Sequence, residues 1–194
     1  LGTEDGTFTG LALNNDELQR ISADGFTLGN GECNGPTIDS VALANTAKIS
    51  GVVTLVATRN GATGTFEGGG STFKSLYAQA DNGFYVKKDV TTTTDVLYIQ
   101  GDADNSDAAP DSFNKIDFTD GVTVTSQTVL TLKATASGMT MSGALSLKAG
   151  TGITIGSQMT SSGGAGKPLV FEADRGPNFG DGVMKFSSGQ CTSN

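Results

Sequence analysis

The stretch ALSLKAGTGITIGSQMTSS, residues 144 to 162, alternates apolar and small polar residues, breaks at glycine, and alternates again. Alternation with a period of two marks a strand that buries one face. Partial copies of the same template begin at Val53 (VTLVA), Leu76 (LYAQA), Leu97 (LYIQG), Leu130 (LTLKA), Leu145 (LSLKA) and Leu169 (LVFEA), their starts separated by 23, 21, 33, 15 and 24 residues. Second alternating runs open at Gly83 (GFYVK), Gly138 (GMTMS) and Gly152 (GITIG), and a degenerate earlier copy runs from Ile21 (ISADGFTLG) to Thr37 (TIDSVALA).

A unit of about twenty residues carrying two or three short strands cannot close a core alone, so neighbouring units must stack. The pattern therefore predicts an all-β fold, a parallel β-helix (β-solenoid), formed as one module over residues 1–194. The inward set it predicts is Leu55, Leu76, Leu97, Ile99, Leu130, Leu132, Leu145, Leu147, Ile153, Ile155, Leu169 and Phe171. An antiparallel sandwich or barrel has similar strand spacing but does not require one template to recur. The segment LNNDELQRI, residues 13–21, breaks the β pattern. Its Asn and Asp residues stand where an N-cap belongs, which predicts a short helical turn covering the amino-terminal end of the stack.

The long interval from Leu97 to Leu130 contains GDADNSDAAPDSFNK, which reads as an acidic loop insertion at 102–113 thrown out from one rung. Asp102, Asp104, Asn105, Asp107 and Asp111 are closely spaced hard oxygen donors of the kind a calcium ion takes. The EF-hand order is not met: counted from Asp102, the sixth residue is Asp107 rather than Gly and the twelfth is Phe113 rather than Glu. Calcium is the one cofactor this chemistry suits, set against an exposed solubilising loop that binds nothing.

Composition removes several other functions. The 194 residues carry a net charge of −8 with a pI near 4.3, which repels nucleic-acid backbones and anionic lipid surfaces. No apolar run approaches the roughly 20 residues of a membrane span. The opening LGTEDGTF has neither Met nor a signal-like apolar region, so the chain reads as a mature product or an excerpt of something longer. There is no His, hence no imidazole base or metal ligand. The carboxylate pairs Asp16 and Glu17, or Asp117 and Asp120, are candidates for glycosidase chemistry, weighed against solvated corner residues. The glycine runs at 68–70 and 150–156 lack the Lys-Ser/Thr ending of a phosphate loop. Threonines at 91–94 and 123–125 suggest a hydroxyl grid of the ice-binding kind, interrupted at the equivalent slots by Met139, Met141 and Tyr85. No Asn-x-Ser/Thr acceptor occurs, so N-linked glycosylation is not expected.

The runs LALNNDELQRISADGFTLGN, TLVATRNGATGTF, TDVLYIQGDADNSD and VTVTSQTVLTLKATASGMTMSGALSLKAGTGITI resemble the tandemly repeated, filamentous-haemagglutinin-like segments of very large secreted proteins. The resemblance implies a right-handed parallel β-helix in an extracellular structural or adhesive fibre, with copies of itself as partners and a cell-surface or glycan ligand. A polysaccharide-active β-helix enzyme is one alternative. A soluble adhesin binding through the 102–113 loop is another.

Cys33 and Cys191 sit 158 residues apart. At about 23 residues per rung they are about seven rungs, or on the order of 30 Å, from each other. A disulfide tolerates Cα separations of only about 4.4 to 6.8 Å. The two are therefore either free thiols or partners across a boundary, and the extracellular location that the resemblance implies favours a bond between stacked units, Cys191 of one to Cys33 of the next, in a head-to-tail homopolymer or tandem array.

Overall fold

The computed structural model describes residues 1–2, 11–106, 109, 111–176, 182–187 and 191–192. The chain is a β-solenoid in which each inner rung lays one strand on each of three sheets, and every pairing between rungs is parallel. The first sheet stacks Phe26–Asn30, Val53–Ala57, Leu76–Ala80, Leu97–Gln100, Val129–Lys133, Gly152–Ile155 and Val183–Phe186. The second stacks Thr37–Asp39, Gly64–Glu67, Phe84–Val86, Ile116–Phe118, Met139–Met141, Met159–Ser161 and Cys191–Thr192. The third stacks Ser71–Phe73, Val90–Thr92, Val122–Ser126, Leu145–Ala149 and Leu169–Glu172.

Residues 144–162 are thus neither a hairpin nor a whole repeat plus its neighbour. They are one rung, with a strand on the third, first and second sheets in turn. This corrects the repeat register read from sequence. Val53, Leu76, Leu97 and Leu130 share one column of the first sheet, but Leu145 and Leu169 belong to the third. The residue stacked on Leu130 is Ile153. The 15-residue interval is therefore a step around a rung, while the step between rungs is the 23 residues from Leu130 to Ile153.

Alternation decides the core. Leu55, Leu76, Leu97, Ile99, Leu130, Leu132, Leu145, Leu147, Ile153 and Ile155 are buried, stacked in aliphatic ladders with Phe66, Phe73, Phe84 and Phe118. Leu169 and Phe171, near the carboxyl-terminal end, are only partly buried. Outward columns hold the complementary residues, such as Thr54, Tyr77, Tyr98, Thr131 and Thr154 on the first sheet. On the second, Thr65, Tyr85, Asp117, Thr140 and Thr160 line up. Met139 and Met141 point inward and are buried, so it is Tyr85 and Asp117, not the methionines, that interrupt the threonine column. Thr92 is also inward, its hydroxyl satisfied by the Asp95 carbonyl at 2.8 Å.

The predicted helical turn forms at Asn15–Leu18. Asn14 and Glu17 make a reciprocal capping box, each side chain accepting from the other's backbone N–H, which satisfies two donors a short helix otherwise leaves open. Leu18 inserts into the core from this cap. In the first rung a 3₁₀ turn, Leu43–Thr46, stands next to the first strand of the third sheet.

Candidate metal centre

The acidic insertion leaves the solenoid at a corner. Strand Leu76–Ala80 ends in Asp81, Asn82 and Gly83 before Phe84–Val86 begins on the second sheet. One rung further on, the equivalent corner is stretched from Gly101 to Lys115. The stretched corner stays tied to the one beside it: Asn82 Oδ1 accepts from the N–H groups of Phe113, at 2.8 Å, and Asn114, at 3.1 Å. Phe84 N–H donates to the Lys115 carbonyl at 2.9 Å. Gly83 has φ of +105°, and a Cβ there would overlap the Phe113 ring, so only glycine lets the insertion lie this close. Phe113 also packs on Tyr85, with ring centroids 4.3 Å apart, and lies 4.9 Å from Lys115 Nζ.

This folding back brings Asp81, Asp104 and Asp111 together, with one carboxylate oxygen of each within 4.8 Å of the others. Asp81 and Asp111 are buried and Asp104 is exposed. Asp81 receives the Gly61 N–H at 2.9 Å, and Asp104 receives that of Ser106 at 2.9 Å. Burial first, and then the neighbouring Asp104 and Asp111 charges and a hydrogen bond with the Asp111 carboxyl, push the Asp81 carboxyl up to about 6 against the lowering effect of the Gly61 N–H.

The remaining predicted ligands have different places. Asp102 is fully buried, but its Oδ2 turns toward the next rung and accepts from Ala136 N–H at 2.6 Å. Burial holds its carboxyl above the usual range despite that bond. Asn105 supplies a left-handed turn, with φ of +57°. Asp107 lies outside the described residues. Much of the insertion is thus packed against the solenoid, through Asp102, Asp111 and Asn114, rather than being a wholly exposed loop.

Sequence reasoning missed Asp81 because it is 23 residues from Asp104 along the chain. The signal was nevertheless present. LYAQAD at 76–81 and LYIQGD at 97–102 are adjacent copies, and Gln79 stacks on Gln100, which puts both aspartates just beyond the same stacked pair.

Three of the four carboxylates considered for catalysis are engaged elsewhere, and the fourth, Asp16, is exposed on the helical turn. Glu17 belongs to the helix cap. Asp117 accepts from the Thr140 hydroxyl in the adjacent rung. Asp120 pairs with Lys167 at 2.6 Å and accepts from Ala144 N–H at 2.7 Å, and these bonds hold its carboxyl below the usual range. Cys33 is a half-buried free thiol in the turn after Phe26–Asn30, close to the amino-terminal end. Cys191 is paired through its backbone with Met159 in the last strand of the second sheet. Comparison of the chain with models of protein families, with curated proteins and with solved structures gave no match.

Proposed function

We propose that this chain is an extracellular structural or adhesive fibre module that assembles by end-to-end stacking of β-solenoid units, as its resemblance to filamentous-haemagglutinin-like repeats implies. The observation that carries the reading is the difference between the first and the last described rungs. At the amino end, Leu18 of the helical turn is buried over the first rungs and Ala23 bridges to Ile49. At the other end, Val183–Phe186 repeats the register of Gly152–Ile155, with Met184 stacked on Ile153 and Phe186 on Ile155. Ile155 is 0% exposed, whereas Phe186 on the same inward column is 42% exposed.

Among the described residues Val183–Phe186 is paired on one side only, and an inward aromatic this exposed beside it favours a further layer, from the same polypeptide or from another copy. Because the two ends differ, the contact is heterologous and does not close, which yields a filament rather than a dimer. Stiffness then follows from continuous backbone hydrogen bonding along three sheets. The acidic surface disfavours nucleic acid as a partner, and a cell-surface or glycan ligand fits an adhesive rod. Polysaccharide cleavage is the weaker reading, since Asp117 and Asp120 are spent on structural bonds.

Sedimentation across a concentration series, with negative-stain imaging, tests this. Filaments are expected for the parent chain, and dispersed rods for Phe186→Asp with the melting of the inner rungs preserved. A parent chain that stays monomeric at every concentration sinks the stacking proposal.

A further inference from the structure

We propose that Asp81, Asp104 and Asp111 form a binding site for one divalent cation of the hard, oxygen-seeking class, and that the ion is calcium. Oxygens around a calcium ion lie about 2.3–2.6 Å from it, so two on opposite sides are about 4.6–5.2 Å apart. The three carboxylate oxygens, all within 4.8 Å of one another, have the spacing of ligands around a common centre.

A second observation is independent of that clustering. Asp111 is 4% exposed, and its Oδ1 is buried without a hydrogen-bond partner. Asn114 Oδ1, in the same insertion, is buried and unpartnered too. Buried carboxylate oxygens without partners are costly, and a third like charge alongside makes them more so. The ion pairs among the described residues are Lys87–Glu67, Lys148–Glu172, Lys167–Asp120 and Arg175–Glu172, so no lysine or arginine neutralises this group. A cation supplies what the protein here does not.

The donor set selects the ion. All three ligands are carboxylate oxygens, with neither imidazole nor thiolate among them, which disfavours zinc. Calcium takes six to eight oxygens in flexible geometry, so waters and loop oxygens can complete the shell around an unsymmetrical trio. Magnesium demands near-octahedral order. Asp81 comes from one rung and Asp104 and Asp111 from the insertion of the next, so the bound ion staples the insertion to the rod. The inference is independent of end-to-end stacking.

The test uses the full chain after chelator treatment. Calorimetric titration with calcium alone is expected to show one saturable site per chain, accompanied by a rise in melting temperature. Tyrosine-sensitised terbium luminescence, with Tyr85 packed on Phe113 nearby, is expected to appear and to be displaced by calcium. Asp104→Asn, at an exposed position, is expected to lower calcium affinity at least tenfold with unchanged β circular dichroism. Asp111→Asn is expected to do the same while leaving the metal-free melting temperature equal or higher, because it removes a buried charge. Asp16→Asn, on the amino-terminal cap, is expected to bind like the parent. No saturable calcium binding, affinity unchanged in Asp104→Asn and Asp111→Asn, or magnesium binding as tight as calcium would each overturn the proposal.

Discussion

The rings of Tyr77 and Tyr98, one rung apart on the outer face of the first sheet, stack with centroids 4.1 Å apart and planes 1° from parallel. Parallel in-register stacking of equivalent residues is what a solenoid imposes on any side chain that recurs at one position. Beside them, Gln100 Oε1 accepts from the Tyr98 hydroxyl at 3.0 Å and from Gln79 Nε2 at 2.8 Å, so the aromatic pair and the glutamine pair form one patch.

That patch makes a pH prediction. Burial, and then the neighbouring Tyr77, push the Tyr98 hydroxyl from 10.0 up to about 12. A proton held by the native state and released by the unfolded chain contributes stability below the unfolded value, and this is lost as pH rises from about 10 toward 12. Tyrosinate absorbance is expected to show a step near pH 12 that accompanies the loss of β circular dichroism and that Tyr98→Phe removes. If the step that Tyr98→Phe removes lies near pH 10 instead, Tyr98 is not held as described.

Gly64 and Phe84 are directly opposed on the second sheet, and a Cβ on Gly64 would overlap the Phe84 ring. Phe84 stacks in turn on Phe66 at 5.7 Å. Gly64→Ala is therefore expected to destabilise the rod by about 1–3 kcal/mol through overpacking. Adding Phe84→Leu is expected to recover part of the loss in chemical denaturation. Equal stability of Gly64→Ala and parent would mean that the ring does not occupy that space.

Leu147 is fully buried, between Val124 and Phe171 in its column. Leu147→Asp puts a carboxylate among stacked aliphatics, at a cost of several kcal/mol. Local unfolding or failure to form the rod is expected. Unchanged circular dichroism and melting temperature would place Leu147 on the outer face and move the register by one residue.

For the cysteines, the second sheet supplies a ruler. Cys191 lies in its last strand and Cys33 just before its first, six strand steps away. At about 4.8 Å per step that is on the order of 29 Å, far beyond disulfide reach within one chain. Mass mapping of non-reduced material is expected to find a Cys33–Cys191 linked peptide only in assembled fibres. Finding it in an isolated monomer would contradict the straight rod, and two alkylatable thiols in the fibre would remove the staple.

The inward residues of the first sheet and Leu145 and Leu147 of the third, the capping turn at Asn15–Leu18 and the acidic insertion were legible from local pattern, whereas the inward column of the second sheet, Phe66, Phe84, Phe118, Met139 and Met141, was not read. Which sheet each strand joins was not legible either. Leu130 and Leu145 open runs that differ at one residue, LTLKA and LSLKA, yet lie on different faces of the rod. Alternation reports only whether a side chain points in or out, and a three-sided rung offers three equivalent inward directions.

The sequence by itself therefore determined the class of fold and part of its core, because a period of two and glycine-marked corners are properties of consecutive residues. Only the tertiary structure decided that Asp81 meets Asp104 and Asp111 while Asp102 turns away to Ala136. Those contacts depend on how one rung stacks on the next and on how the insertion folds back over Gly83. They are set by hydrogen bonds and packing between residues distant in sequence, which no local pattern encodes.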